Sequence, residues 1–234
     1  MRTKLIVVYS GGLDSTILLG SAARIQEVKA ISFNYGQRHK RELESASAIV
    51  QVLGVEHRIV DLSNLRPLID SSSQTNPAIP VPHGHYADEN MKVTVVPNRN
   101  AIMLSIACAW AINLKYDAVA YAAHSGDHTI YPDCREEFIT PFAEAMAKAD
   151  WHSVCLVRPL LRWTKAQIVR MGAKLGLESI MSMSYSCYEG GLLHCGQCGT
   201  CQERRAAFRD AGVRDLTTYD PAGIAALPID QLRS

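Results

Sequence analysis

The residues best suited to chemistry lie near the N-terminus, in the stretch Ser10 to Thr16, which reads SGGLDST. They follow an apolar run over residues 5–9 whose branched side chains are typical of a strand buried on both faces. The glycines allow a tight turn that a ligand can approach closely, and we expect Asp14 or Ser15 to cap the helix that follows. Backbone N–H groups and the positive end of the helix dipole would meet there, so the stretch predicts an anion-binding site.

The order of these residues narrows the kind of anion. The stretch lacks the Gly-Lys-Ser/Thr of a Walker-type loop and the third glycine of a dinucleotide-binding turn. It resembles the pyrophosphate loop of the ATP pyrophosphatases, which cleave ATP between its α and β phosphates and adenylate a substrate. That resemblance implies that serine hydroxyls hold the departing pyrophosphate and that Asp14 helps to hold Mg²⁺. The alternative is a turn that merely joins strand to helix. The residues assigned to the nucleotide are Tyr9, Ser10, Gly11, Gly12, Leu13, Asp14, Ser15 and Thr16.

A second distinctive group is a cysteine cluster with the spacing C-x7-C-x2-C-x2-C, formed by Cys187, Cys195, Cys198 and Cys201. Glycines between the cysteines allow the tight turns that converging thiolates need. Four thiolates favour tetrahedral Zn²⁺, and an iron–sulfur cluster is the alternative. A four-cysteine zinc site is closed, so we expect one structural ion per chain that holds the C-terminal segment beside the active site.

A third group of polar side chains follows the fourth expected strand, in residues 123–135. A heterocycle with a guanine-like edge would need carboxylates to accept hydrogen bonds from its N–H groups, and Asp127 and Asp133 are candidates. For Asp133, the alternative is a cap on the next helix. Cys134 has no clear activating base, so we treat it as a substrate contact only. The candidate substrate contacts are Asp127, Tyr131, Asp133, Cys134 and Arg135.

Three basic residues are candidates to meet anions. Arg38 follows the second expected strand, where ligands of parallel sheets bind, although a solvated loop is the alternative. Arg99 lies at the mouth of an apolar helix, where its charge needs a phosphate, a carboxylate or an internal acid. Lys165 opposes the dipole of a helix that Thr164 can cap, which a triphosphate shared with Ser10 would explain. We assign Arg38 and Arg99 to the nucleotide, and the candidate catalytic residues are Ser10, Asp14, Ser15 and Lys165.

Strands and helices must position these residues. Apolar runs predict strands over residues 5–9, 28–33, 56–60, 117–122 and 153–157, and helices over 16–24, 40–53, 101–114 and 165–175. Their alternation predicts an α/β fold with a parallel sheet flanked by helices.

Two segments carry further expectations. The helix over 101–114 is apolar nearly all round, so we expect it to be buried, with Asn98 or Asn100 as its cap. Residues 63–97 contain too many helix breakers for a helix and are expected to be irregular. Within them, His83 and His85 flank a glycine and receive no assignment.

Composition limits the class of function. The chain has 234 residues, 47% of them apolar, and a net charge of +1, so we expect no direct binding to nucleic acid. We divide it into an ATP-binding α/β domain over 1–180 and a zinc-binding segment over 181–234 packed on the same domain. With no signal peptide and no membrane-spanning run, we expect a cytoplasmic protein without membrane contact, whose clustered thiols bind metal.

Together these stretches resemble one family, the 7-cyano-7-deazaguanine synthases of queuosine biosynthesis. The matching residues cover nearly the whole chain and are 9–15, 33–39, 96–100, 131–135 and 186–201. The resemblance implies a Rossmann-like adenine nucleotide alpha hydrolase fold with bound zinc, in a homodimer.

The resemblance also implies a reaction. 7-Carboxy-7-deazaguanine, ammonia and ATP with Mg²⁺ would give the 7-cyano compound through adenylated intermediates. One alternative is a related enzyme that transfers the activated deazaguanine acid to another nucleophile, on a protein or a nucleic acid. A second alternative is a zinc module that binds RNA, against which the near-neutral charge counts.

Overall fold

The structure, a computed structural model, describes residues 3–83 and 89–226. Five parallel strands form one sheet in the order β3-β2-β1-β4-β5. The strands are β1 Lys4–Val8, β2 Glu27–Asn34, β3 Glu56–Asp61, β4 Ala118–Ala120 and β5 Cys155–Val157. Because the order of the strands reverses at β1, the carboxyl ends of β1 and β4 flank the crevice in which such sheets bind ligands.

Helices cover both faces of the sheet. They are α1 Leu13–Ala22, α2 Arg41–Leu53, α3 Arg99–Leu114, α4 Glu136–Ala147, α5 Lys165–Lys174, α6 Glu178–Met183, α7 Gly199–Ala211 and α8 Pro221–Ala225. Alternate residues of β1 point to opposite faces, so Ile6 packs with Leu104 of α3, whereas Val7 packs with Ile17 of α1 and Ile168 of α5. The predicted α/β class with a parallel sheet is confirmed.

The C-terminal segment packs against the sheet domain rather than apart from it. Ala207 and Phe208 of α7 belong to the same apolar cluster as α1 and α5. The backbone N–H of Tyr185 donates to the carbonyl of Gly11, in the loop between β1 and α1, at 3.0 Å. In residues 3–83 and 89–226, no helix combines the length and apolar character that crossing a bilayer requires.

The predicted cap of the first helix is wrong. α1 begins at Leu13, and Gly12 precedes it without a side-chain cap. The hydroxyl of Ser15 instead donates backwards to the carbonyl of Gly12 at 3.1 Å. Asp14 and Ser15 therefore lie inside the first turn of the helix, where their side chains remain available to the site.

The helix predicted over residues 101–114 is confirmed as α3, and Asn98 holds its N-cap position with a left-handed backbone of φ 54°. Neither Asn98 nor Asn100 caps the helix with its side chain, so that part of the prediction is wrong. A neighbouring loop supplies the acceptor instead, because Asp133 Oδ2 accepts from the backbone N–H of Asn100 at 3.1 Å. The helix is not buried on all sides; its buried residues are Leu104, Ala107, Cys108 and Ala111.

The segment expected to be irregular has more order than its breakers indicate. It contains two short 3-10 helices, Ser63–Leu68 and Glu89–Thr94. Guanidinium groups pin the chain between them: Arg66 Nε donates to the carbonyl of Thr75 at 2.9 Å, and Arg38 bonds two further carbonyls. His83 pairs with Glu189 at 2.9 Å, and His85 lies outside the described residues.

Candidate active site and metal centre

A cleft opens at the carboxyl ends of β1, β2 and β4 and encloses about 1140 Å³, part of it open to solvent. The predicted site residues that line the cleft are Tyr9, Ser10, Gly12, Leu13, Asp14, Ser15, Arg99, Asp127, Tyr131, Cys134 and Lys165. The structure therefore brings the N-terminal loop, the mouth of α3, the loop after β4 and the start of α5 to one place.

The loop between β1 and α1 is preformed for an anion. Ser10 Oγ lies 3.0 Å from Ser15 Oγ and accepts from the backbone N–H of Gly12 at 3.0 Å. Gly11 has φ 90°, and a Cβ there would stand 2.1 Å from the carbonyl oxygen of Glu42. A side chain at Gly11 is thus excluded both by conformation and by space. The result is a pair of hydroxyls converging at a helix N-terminus.

Lys165 and Asp14 form an ion pair within the cleft. Lys165 Nζ lies 3.1 Å from Asp14 Oδ2 and 2.7 Å from Glu203 Oε2. Burial lowers the pKa of Lys165, but the carboxylates of Asp14, Glu203 and Asp127 outweigh burial and hold that pKa above its usual range. Burial raises the pKa of Asp14, but Lys165 and His124 outweigh it and hold that pKa below its usual range. Both side chains are therefore charged at neutral pH.

One oxygen of Asp14 is available for a metal ion. Among the described residues, Asp14 Oδ1 is buried and has no hydrogen-bond partner. A carboxylate oxygen is a hard ligand of the kind that Mg²⁺ prefers. The residues present thus fit a magnesium ion carried in with a nucleotide.

The far side of the cleft is aromatic and carries a positive charge. The hydroxyl of Tyr131 lies 2.9 Å from that of Tyr188 and 2.8 Å from Thr94 Oγ1. The guanidinium of Arg99 stands 5.8 Å from the centre of the Tyr131 ring and 3.5 Å from the hydroxyl of Tyr35. Such a wall can stack against a planar heterocycle while the guanidinium meets an anionic group.

Three predicted contacts do not line the cleft. Arg38 donates to the carbonyls of Asn76 and Ile79, at 3.2 and 2.8 Å. Arg135 donates to the carbonyl of His128 at 2.7 Å. Asp133 bonds the first turn of α3. In each case a backbone group of the protein bonds the side chain that the sequence analysis assigned to a ligand, and for Arg38 and Asp133 that group lies more than 30 residues away.

Of the loop residues assigned to the nucleotide, Gly11 and Thr16 also lie behind the cleft surface. The Thr16 hydroxyl is 3.2 Å from that of Tyr9. Gly11, with φ 90°, provides the backbone turn between β1 and α1. Asp127 does reach the cleft, where its Oδ2 accepts from the backbone N–H of His124 at 3.1 Å.

Cys134 lines the cleft as a thiol. Its sulfur accepts from Asn100 Nδ2 at 3.3 Å. Burial raises the pKa of the thiol well above its usual range, and the nearby carboxylates of Asp127 and Asp133 raise it further. A thiol that stays protonated is a poor nucleophile, so the geometry favours a contact role for this residue.

Sequence reasoning missed Glu203 and Thr200, both on α7. Glu203 bonds Lys165, and Thr200 lines the cleft while its hydroxyl lies 3.3 Å from the sulfur of Cys198. The only signal in the sequence is that both residues flank Cys201. That signal says nothing about which side of the helix faces the cleft.

The cysteine cluster fits a single metal ion. The sulfur atoms of Cys187, Cys195, Cys198 and Cys201 all lie within 4.8 Å of one another. Cys195 Sγ and Cys201 Sγ are 3.9 Å apart, far longer than a disulfide at about 2.0 Å and close to the ~3.8 Å between thiolates on a tetrahedral zinc. Backbone N–H groups of Cys195 and Cys198 donate to neighbouring sulfurs at 3.3 Å, which stabilises thiolates.

The fold and the phosphate loop together define an α/β protein of the pyrophosphate-loop class. Residues 4–212 match the family described as "Queuosine biosynthesis protein QueC". This chain belongs to the QueC family, as the resemblance drawn from its sequence stretches predicted.

Named relatives agree with that assignment, and a solved structure agrees with the fold. The chain is 50% identical over 220 residues to the 7-cyano-7-deazaguanine synthase of Allorhizobium ampelinum, covering 93% of this chain and 92% of the relative. It is 45% identical over 221 residues to the same-named protein of Pseudoalteromonas atlantica, covering 94% and 100%. The structure of the NH3-dependent NAD synthetase from Campylobacter jejuni aligns with a TM-score of 0.50 and 16% identity, covering 100% of this chain and 82% of that one, which supports the fold alone.

Proposed function

We propose that this chain is an ATP-dependent 7-cyano-7-deazaguanine synthase that converts 7-carboxy-7-deazaguanine and ammonia into the nitrile for queuosine biosynthesis. The observation that carries the proposal is one cleft holding both the phosphate loop with Lys165 and an aromatic wall with Arg99, in a chain 50% identical to a protein of that name. Two ligands of different chemistry need such a divided cleft.

The chemistry requires adenylation because a carboxylate is a poor electrophile whose leaving group would be oxide. The acid oxygen attacks the α phosphate of ATP, forming an acyl-adenylate and releasing pyrophosphate. Ammonia displaces AMP and loses a proton, which gives the amide. A second ATP adenylates the amide oxygen, and loss of AMP and a proton leaves the nitrile. The protein's main tasks are positioning and charge stabilisation.

The phosphate loop holds the pyrophosphate in both activations. The hydroxyls of Ser10 and Ser15 and the N-terminus of α1 donate to its oxygens, and Lys165 neutralises its charge. Asp14 Oδ1 would hold Mg²⁺, which would supply charge neutralisation at the departing group. The nearness of Ser10 and Ser15 and the unpartnered Asp14 oxygen support these roles.

The other half of the cleft holds the deazaguanine acid. The heterocycle stacks against the Tyr131 side of the wall, and Asp127 accepts from one of its ring N–H groups. Arg99 meets an anionic group, either the substrate carboxylate or the α phosphate that it attacks. Cys134 contacts the ring as a neutral thiol.

The metal in the cysteine cluster is one structural Zn²⁺. The sulfur spacing supports a single ion, because a four-iron cluster binds each thiolate through a different iron and spreads the thiolates further apart. It stabilises residues 181–226 against the ATP-binding domain of residues 1–180.

The protein acts as a homodimer through the apolar side of α3 and α4. Trp110 of α3 is only half-buried, and on α4 the half-buried rings of Phe138 and Phe142 stack with centroids 5.4 Å apart. Apolar side chains on an incompletely covered helix face are typical of a subunit interface.

The test is product analysis by mass spectrometry after incubation with 7-carboxy-7-deazaguanine, ATP, Mg²⁺ and ammonium. The proposal predicts the 7-cyano product together with AMP and pyrophosphate. AMP without the nitrile, even with ammonium in excess, would favour transfer of the activated acid to another nucleophile. ADP in place of AMP would contradict the pyrophosphate-loop assignment altogether.

A further inference from the structure

Helix α7 connects the metal centre with the phosphate site. Its N-cap is Cys198, and Cys201 lies in its first turn. Two residues further on, Glu203 Oε2 accepts a hydrogen bond of 2.7 Å from Lys165 Nζ. The same helix therefore carries two of the clustered cysteines and a carboxylate bonded to Lys165, whose ammonium also lies 3.1 Å from Asp14 Oδ2.

The rotation of α7 about its own axis is set by Arg204. This guanidinium is fully buried and donates to Ser184 Oγ, the carbonyl of Met181 and Thr217 Oγ1, at 2.9, 2.7 and 2.9 Å. Because successive helix residues differ in direction by about 100°, anchoring Arg204 on one side directs Glu203 toward α5. An added Cβ at Gly126 would stand 2.9 Å from Glu203 Oε1, so little space remains around the carboxylate.

We propose that Glu203 is a positioning residue that holds the ammonium of Lys165 where the β phosphate of ATP departs, and that the cysteine centre gives Glu203 its place by anchoring α7. A lysine side chain carries about 2 kcal/mol of rotamer entropy. Two carboxylates from different helices, Asp14 on α1 and Glu203 on α7, hold its ammonium at one point more closely than one does. The inference rests on the proposed function, because it assigns Lys165 to the departing pyrophosphate.

Charge determines the expected kinetic signature. Asp14, Asp127 and Glu203 all face Lys165, so the site is rich in negative charge before a nucleotide arrives. Neutralising Glu203 removes repulsion toward bound ATP, yet it frees the ammonium from its position in the transition state. We therefore expect a lower kcat with a KM for ATP that is unchanged or lower. Simple structural damage would raise KM and lower the melting temperature.

The experiment is a double-mutant cycle on pyrophosphate release with Glu203→Gln, Lys165→Met and the double variant. Glu203→Gln should lower kcat about ten- to hundredfold at wild-type metal content, and should cause no further loss in the Lys165→Met background. Asp210→Asn, an exposed acid later on the same helix, is the matched control and should match the wild type. Equal losses from Glu203→Gln in both backgrounds, or a raised KM with unchanged kcat, would overturn the proposal.

A second measurement does not depend on turnover. Amine labelling followed by mass spectrometry should show faster modification of Lys165 in Glu203→Gln, with exposed Lys115 unchanged as the internal reference. Unchanged labelling of Lys165 would contradict the positioning role. If Glu203→Gln does not fold, Glu203→Asp replaces it; it keeps the charge, shortens the reach and should give an intermediate loss of kcat. A wild type that releases no pyrophosphate would refute the proposed function, whereas the labelling result would still stand.

Discussion

Lys165 Nζ and Asp14 Oδ2 lie 3.1 Å apart and join the first turn of α5 to the first turn of α1. The ion pair holds both side chains in place in the ligand-free cleft, because each residue neutralises the other's buried charge. In the proposed reaction, ATP would offer a phosphate to Lys165 and its Mg²⁺ would offer a second partner to Asp14. The ion pair would then be exchanged for contacts with the ligands.

Asp14→Asn should reduce pyrophosphate release by about a hundred- to a thousandfold, since it removes a metal ligand and a partner of Lys165 from the reacting end of ATP. The fold should remain, because Glu203 still pairs with Lys165. Steady-state kinetics and circular dichroism measure the two effects. Asp61→Asn, an acid at the end of β3 outside the cleft, is the control, and an Asp14 variant with normal turnover would refute the role.

Gly11→Ala should damage both stability and activity. Its φ of 90° costs a side chain about 1 kcal/mol, and the contact of 2.1 Å with the Glu42 carbonyl forces the loop to move. Gly54→Ala is the matched comparison, because Gly54 also has positive φ, 64°, but no atom in the described part of the chain lies within 4 Å of the added Cβ. Urea unfolding should show a loss of about 1 kcal/mol for Gly54→Ala and a clearly larger one for Gly11→Ala. Equal losses would mean that the loop tolerates a side chain.

Cys198→Ser should release the metal and destabilise the C-terminal segment, because metal binding supplies folding free energy there. We expect the melting temperature to fall by about 10 °C, which corresponds to roughly 3–5 kcal/mol in a chain of this size. Cys155→Ser is the control, since Cys155 is exposed and outside the cluster. Metal analysis and calorimetry provide the measurement; full metal content with unchanged melting would rule out a structural centre.

The rate of thiol alkylation should be lower for buried cysteines than for exposed ones. Burial raises the pKa of Cys108 to about 11 and moves that of Cys134 higher still. A raised pKa leaves the protonated, unreactive thiol dominant, so at pH 8 iodoacetamide should modify exposed Cys155 first, while Cys108 and Cys134 stay unmodified. Peptide mapping of the metal-loaded protein reads out the order. Rapid alkylation of Cys134 would indicate an activated thiol and reopen a nucleophilic role.

The sequence by itself determined the parts of this protein that depend on neighbouring residues. The phosphate loop is one contiguous stretch, so its glycines, hydroxyls and Asp14 are placed by local backbone geometry. The four cysteines lie close enough in the chain to converge through a few turns. The branched apolar run over residues 5–9 predicted β1, because a strand buried on both faces leaves a continuous signal, and the other four predicted strands are also present.

Tertiary structure alone decided the partners of side chains whose contacts come from distant segments. Asp133 has the same chemistry as Asp127, yet it bonds the start of α3 while Asp127 reaches the cleft. Arg38 donates to carbonyls of a loop some 40 residues away, and Glu203 accepts from Lys165, which is 38 residues away in the sequence. A charged side chain bonds the buried polar groups that would otherwise lack a hydrogen-bond partner. Which groups are buried depends on how the whole chain packs, so no single stretch of sequence predicts the partner.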